Sequence, residues 1–350
     1  MPAFVKRGLR TGADRAARVS GVLARRERRG ADGLTVLTYH RVLPHEACAG
    51  YPFPALVMPL EAFRQQVGWL AAHGDVLPLS EALARRAQGC GRRLFALTFD
   101  DGYHDSGEIV AGVLEQAGVR GTFYVTAGFV GSDELLWFDR SALLFAAAPE
   151  RLRHEVVRHV CGDGRRDERP PPGADGAAWT GFLKGCGPAE RGTILAGLER
   201  AAGVPAQARD FRAMRVEQVV DLHRSGHEIG CHTVSHAMLP QLDDVELRRE
   251  LEDSRDALAN WIGEPVAGFC YPNGDHDDRS VAAVARAGYS HACTTRNGIH
   301  RPGDDPFRIR RIEIAPGRVL ERAGRLDVTA FRRELCGLFR RSPAGSYEGA

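Results

Sequence analysis

No Cys-x-x-Cys pair occurs in this chain, although it contains eight cysteines. Cys48, Cys90, Cys161, Cys186, Cys231, Cys270, Cys293 and Cys336 stand singly, so neither a zinc knuckle nor a redox dithiol is signalled. Scattered thiols suit a reducing compartment. Cys231, Cys270 and Cys293, each in or beside an apolar segment, read as small buried hydrophobes. Long apolar runs are also missing. Phe4, Val5, Leu9, Val19, Val22 and Leu23 are interrupted by charges, so the unbroken run of about 7–15 apolar residues that makes a secretion signal is not found. No segment approaches the ~20 apolar residues of a membrane-spanning helix. The body of the chain has no basic stripe with interleaved aromatics, so no nucleic-acid partner is expected.

What is present is an ordinary globular composition, 43% hydrophobic and 26% charged, which suffices for a sizeable core. The net charge of +2 hides an asymmetry. Residues 1–30 carry nine Lys or Arg against two acids, Asp14 and Glu27, and the rest is mildly acidic. Residues 1–32 therefore form a basic arm, which either stays solvated or loosely docked, or lies on an anionic membrane surface. The expected location is cytoplasmic or peripheral to the inner membrane.

Strand-like and helix-like segments alternate. Leu34–Tyr39, Leu94–Phe99, Thr122–Val125, Glu228–Cys231, Val266–Tyr271 and Tyr289–Thr294 read as strands. Leu60–Ala72, Ser106–Ala117, Val216–Leu222, Asp244–Trp261 and Ser280–Ala287 read as helices. Such alternation predicts an α/β fold with a parallel sheet wound by right-handed crossovers. Residues 131–215 break the rhythm with helical patterns at Arg140–Val160 and Pro188–Ala201 around an Arg/Asp/Pro/Gly-rich connector. This stretch reads as an insertion between two core strands, overhanging the rim where α/β proteins place their chemistry. A C-terminal helix and tail occupy 326–350.

Two clusters carry chemistry. Leu97-Thr98-Phe99-Asp100-Asp101-Gly102 is a buried strand that stops on two adjacent carboxylates, an arrangement that is costly unless a cation shares them. His232-Thr233-Val234-Ser235-His236 follows another strand, and histidines four apart on a helical turn reach one ion. Among thirteen histidines that spacing also arises by chance. Its place just past a strand, like that of the Asp pair, points to an Asp/His/His metal site with open positions for water and substrate.

These two motifs together resemble the first two motifs of the polysaccharide deacetylases, the family with the NodB-homology domain, also called carbohydrate esterase family 4. The similarity runs from about Leu34 to Ile314, within a domain spanning 33–325, with residues 131–215 as an unusually long insertion. The resemblance implies a distorted, incomplete (β/α) barrel of the seven-stranded type. It also implies Asp100 as general base and Asp101, His232 and His236 as ligands of a divalent ion, usually zinc, with Co2+, Ni2+, Mn2+ or Fe2+ as alternatives.

Phe269-Cys270-Tyr271-Pro272-Asn273-Gly274 aligns with the family's third motif, where an Arg orients the base and a backbone amide after the Pro holds the oxyanion. Here Cys270 replaces that Arg. Asn273 still supplies an amide. Without the cation, Asp100 is expected to be less firmly oriented and of higher pKa. The late segment Ile309–Ile314 lacks the family's general-acid histidine, whereas Tyr39-His40-Arg41 closes the first strand. This resembles the rearranged branch typified by exopolysaccharide de-N-acetylases and implies His40 as the acid. The implied function is metal-dependent hydrolysis of the acetamide of N-acetylhexosamines in a saccharide or glycan precursor. The alternatives are O-acetyl ester or other amide hydrolysis, a non-haem Fe(II) oxygenase, and glycan binding without turnover.

Weaker candidates are Trp137, Phe138 and Asp139 for sugar contact, and His104 and Asp105 as cleft residues. Arg310 or Arg311 could pair with a rim carboxylate, without an assigned role. His223, His227 and His291 read as structural or surface histidines.

Overall fold

Apolar side chains on both faces of short strands build the centre of the molecule. The computed structural model describes Leu23, Arg25, Glu27 and residues 33–337, apart from 90, 163–169, 171–172, 204–210 and 323. In chain order the strands are β1 (Leu34–Tyr39), β2 (Arg41–Leu43), β3 (Val57–Pro59), β4 (Asp75–Val76) and β5 (Leu94–Phe99). They continue with β6 (Thr122–Val125), β7 (Glu228–Cys231), β8 (Gly268–Cys270), β9 (His291–Asn297) and β10 (Ile309–Glu313). Parallel pairing runs β1-β10-β9-β8-β7-β6-β5, and β5 pairs back to β1 from Leu34↔Leu94 to Tyr39↔Phe99, closing a seven-stranded ring. β4 lies against the start of β5 (Asp75↔Leu94), while β6 takes its end (Thr98↔Thr122).

Strand alternation sorts the side chains. Leu34, Val36, Leu94, Ala96, Tyr124, Cys270, Cys293 and Ile309 pack together as one cluster in the ring's interior. Leu37, Tyr39, Leu97, Phe99, Phe123, Ile229 and Phe269 belong to the larger core shared with the surrounding helices. Those helices include α1 (Leu60–His73), α2 (Leu79–Ala87) and α3 (Ala111–Gln116), the last entered through a π-turn at Ser106–Val110.

Among its described residues the insertion holds four helices: α4 (Trp137–Ala147), α5 (Glu150–Cys161), α6 (Gly176–Lys184) and α7 (Pro188–Ala202). The single helix expected over Arg140–Val160 is two. Pro149 pushes Ala148 into extended backbone (φ −71°, ψ 137°), as a residue preceding proline prefers. α6 was masked in the sequence by its polar connector; the Asp175 side chain caps it by accepting from the Ala178 amide. Phe145, Val157, Trp179, Leu183, Ile194 and Leu198 form a core of the insertion's own. A second cluster joins Phe138 and Leu143 of α4 to Tyr51, Phe53, Tyr103 and Phe129 on the barrel side.

The remaining helices are α8 (Val216–Arg224), α9 (Asp244–Ile262), α10 (Asp278–Arg286), α11 (Pro316–Val319) and α12 (Val328–Leu335). α9 starts on an Asp243/Glu246 capping box and stops at left-handed Gly263. Strand β8 is shorter than the expected Val266–Tyr271, although the Tyr271 amide still donates to Cys293 O at 3.0 Å. Leu23 is buried, and Glu27 forms a two-point ion pair with Arg332 of α12 (2.7 and 2.7 Å). The rest of the basic arm, with its expected membrane contact, lies outside the described residues, as do residues 338–350. Among the described residues no helix is long and apolar enough to cross a membrane.

Candidate active site

The carboxyl ends of the ring strands deliver their inward-pointing residues to one cavity. Thr38 and His40 follow the parity of Val36 on β1, Asp100 that of Ala96 on β5, and Arg311 and Glu313 that of Ile309 on β10. The cavity is lined by these residues with Asp101, His232, His236, Tyr271, Asn273 and Thr295, and by Phe53, Leu56, Trp137, Phe138 and Lys184 on its outer wall. All six sequence-derived site residues, Asp100, Asp101, His232, His236, His40 and Asn273, therefore meet there.

Backbone strain concentrates at the same place. Asp101 (φ 80°), Thr233 (φ 65°), His236 (φ 55°) and Asn273 (φ 58°) are the non-glycine residues with positive φ among the described residues. Left-handed backbone costs on the order of 1–3 kcal/mol at such residues and persists where the surroundings impose it. Asp101 is held by its carbonyl, which accepts from the Thr126 amide (3.1 Å), and the preceding Asp100 is tied to the end of β1 by its amide, which donates to Tyr39 O (3.0 Å).

Asp101 is buried, and neither of its carboxylate oxygens has a hydrogen-bond partner. The Nε2 atoms of His232 and His236 stand 3.5 and 3.4 Å from its Oδ1. His232 Nδ1 lies 2.8 Å from Cys270 O. A carbonyl only accepts, so Nδ1 carries the proton and Nε2 turns a lone pair toward the carboxylate. Burial lowers the His236 pKa, favouring its neutral form. Lone pairs converging on a buried anion repel one another unless a cation stands between them, so Asp101, His232 and His236 fit a divalent metal with nitrogen and oxygen ligands.

Asp100 contradicts the expectation drawn from the missing motif-three arginine. Arg311 of β10 grips it in a fork, Nη1 to Oδ1 at 2.8 Å and Nη2 to Oδ2 at 2.7 Å, with both side chains buried. Arg311 is itself held by Thr294 O (3.0 Å) and Thr98 Oγ1 (3.1 Å). Burial alone would raise the Asp100 pKa, but the charge and hydrogen bonds of Arg311 outweigh it and hold the carboxyl below its ordinary value. Cys270 is more than a small hydrophobe: its Sγ lies 3.5 Å from Asp100 Oδ2 and 3.1 Å from Arg311 Nη2, filling the space between strands. The sequence did contain a usable signal, since Arg311 shares strand parity with Ile309 while Arg310 does not.

His40 sits between two fixed neighbours. The Tyr39 hydroxyl donates to Gln66 Oε1 (2.6 Å), and the buried Arg41 binds Asp105 Oδ1 through Nε and Nη2 (3.0 and 2.9 Å). Asp105 is thus a structural partner, not a cleft residue. His104 bonds Arg212 O and lines a separate cleft. Trp137 donates to His236 O (3.2 Å), and the Phe138 ring lies 5.0 Å from the His236 ring. Asp139 does not reach the cavity. It is buried against the Tyr103 hydroxyl, which donates to it at 2.5 Å, and burial pushes its pKa up to about 7. His223, His227 and His291 do not line the cavity.

A family profile described as polysaccharide deacetylase matches residues 88–163 and 199–292, and the break between them falls within the insertion. A peptidoglycan-N-acetylglucosamine deacetylase of Bacillus cereus is 32% identical over 83 residues, 23% of this chain and 37% of that protein. The chain thus spans about a third of the length of the curated relatives it matches. Solved structures of deacetylases share the fold. The Streptococcus pyogenes deacetylase PplD, solved with acetate, has 18% identity and a TM-score of 0.53 over 82% of this chain and 94% of its own. IcaB from Ammonifex degensii has 22% identity and a TM-score of 0.52 over 82% and 93%. With the profile matching on both sides of the insertion, the chain carries a polysaccharide deacetylase domain that the insertion interrupts.

Proposed function

We propose that the protein hydrolyses the acetamide of N-acetylhexosamine residues in a poly- or oligosaccharide or a glycan precursor, releasing acetate and a free amine. The observation that carries this reading is the division between the two carboxylates, Asp100 anchored by an arginine and Asp101 orphaned between two imidazoles. The relatives' recorded activities and the acetate in the PplD structure support it. Asp101, His232 and His236 would hold the divalent ion, zinc by the resemblance, which when bound would polarise the acetamide carbonyl and a water.

The remaining chemistry belongs to side chains and one amide. Arg311 occupies one lone-pair direction on each Asp100 oxygen, leaving the carboxylate ionised and aimed to take the proton of the attacking water. The Asn273 amide, on the cavity wall, donates to the oxygen that gains charge. His40 delivers a proton to the departing nitrogen, without which an amine leaves poorly. β1 and β10 are hydrogen-bonded neighbours (Leu37↔Ile312, Thr38↔Glu313), so a side chain at the end of β1 arrives where one from the last strand would. This supports the rearranged-branch assignment. Trp137, Phe138 and Phe53 present an apolar wall suited to a sugar face.

Acetate release from N-acetylglucosamine oligomers, chitin fragments, peptidoglycan and O-acetylated sugars tests the reading, with Asp100→Asn as control. Release from N-acetylated substrates that falls by about 10²-fold or more in the control supports it. Equal activity of the two proteins overturns the base assignment.

A further inference from the structure

Besides Trp137 and Phe138, the insertion brings a cation to the catalytic rim. Lys184, the last residue of α6, lines the cavity, and its Nζ donates to Asn273 Oδ1 at 2.5 Å. Its backbone carbonyl accepts from Gln241 Nε2 at 2.6 Å, which fixes the end of α6 to the segment after His236. The other end of the Asn273 side chain, Nδ2, donates to Asp275 Oδ2 at 2.7 Å. Asn273 is thus gripped at both ends, oxygen toward the ammonium and nitrogen toward the carboxylate. Its carbonyl is held as well, accepting from Thr295 Oγ1 at 3.1 Å. Next to it, Gly274 (φ 78°) is packed so closely that a Cβ there would come within 2.6 Å of the Thr295 amide nitrogen. The whole turn is clamped in a left-handed conformation that an isolated Asn-Gly would share with others.

We propose that Lys184 is a positioning residue, supplied by the insertion, that holds the Asn273 backbone amide in line for the developing oxyanion; the proposal rests on the hydrolase reading above. Removing an oxyanion donor costs about 10²–10³-fold in kcat, and loosening one while leaving it present should cost less, about 10-fold. A clamp acting through Asn273 also makes the insertion part of the catalytic assembly rather than a cover over it. Burial lowers the Lys184 pKa to about 8, which leaves the ammonium charged at neutral pH.

The test compares wild type, Lys184→Met, Lys184→Arg, Asn273→Gly and the Lys184→Met/Asn273→Gly double variant in the full chain with metal bound. Glycine keeps the amide and tolerates the positive φ, so Asn273→Gly removes only the gripped side chain. Expected are kcat losses of about 10-fold in Lys184→Met and in Asn273→Gly with KM within about twofold, no further loss in the double variant, and most of the wild-type rate in Lys184→Arg. Full kcat in Lys184→Met, a change in KM alone, or multiplied losses in the double variant each overturn it. Hydrogen exchange of the Gly274 and Asp275 amides, which donate to Tyr271 O and Pro272 O, reads the clamp without turnover. Faster exchange in Lys184→Met supports the clamp, and unchanged exchange refutes it. If wild type releases no acetate from any substrate, the hydrolase reading fails while the exchange comparison still decides the clamp.

Discussion

Replacing Arg311 with Met removes the one cation that forks Asp100 while keeping an unbranched side chain in the ring. Both partners are buried, with contacts of 2.7 and 2.8 Å, so the carboxylate left behind has no bulk water to solvate it. Breaking such a pair costs about 3–5 kcal/mol, a fall in melting midpoint on the order of 10 °C for a chain of this kind. Asp100 avoids part of that cost by taking up a proton, since burial then pushes its pKa upward against only the smaller opposing pull of His232 and His40. The sign reverses accordingly. In wild type the depressed pKa contributes stability that is present above the ordinary carboxylate range and is lost as pH falls through the lowered value. In Arg311→Met the raised pKa makes stability fall as pH rises.

A protonated Asp100 cannot accept from water. Acetate release at neutral pH should drop about 10²-fold, and the acidic limb of the kcat/KM profile should move to higher pH, with partial recovery in alkali. Arg311→Lys, lacking the planar fork, should fall between. In the double variant Cys270→Arg/Arg311→Ala the cation returns from β8, across the ring interior, because Cys270 Sγ already lies 3.5 Å from Asp100 Oδ2, and activity should exceed that of Arg311→Ala. A pH profile and melting midpoint in Arg311→Met equal to wild type would refute the orienting role.

Three further outcomes follow from the same geometry. His40→Ala should keep its metal content but lose roughly 10²-fold or more of its rate; near-normal turnover would remove His40 from the mechanism. A chelator should abolish activity and lower the wild-type melting midpoint, by the equivalent of about 2.7 kcal/mol when the free ion had been at 100 times its Kd. Asp101→Asn, which lacks the buried anion, should show neither the shift nor its reversal on adding Zn2+. For Asp139, whose folded pKa is raised to about 7, stability should be fully present below the ordinary carboxylate pKa and decline as pH rises to about 7. With chelator present, Asp139→Asn should flatten that decline, and equal slopes in calorimetry would count against it.

Much of the site was legible because its parts are local. Asp100-Asp101 and His232…His236 each carry their geometry in a spacing of a few residues, and strand parity then aims them inward. The alternation of strands and helices likewise implied the parallel barrel. Less legible were features set by single residues against composition: the break of the insertion's first helix at Pro149, the α6 helix behind a polar connector, and the burial of Asp139 away from the rim.

The amino-acid sequence by itself determined that two unlike carboxylates and a histidine pair would stand at strand ends, since adjacency and period are properties of the chain. Only the tertiary structure decided which cation steadies Asp100. Arg311 lies 211 residues away in sequence, and ring closure brings β10, β1 and β5 together so that its fork meets the carboxylate. A strand pattern tells which way a side chain points but not what faces it, and that partner is fixed by the order in which strands close the ring.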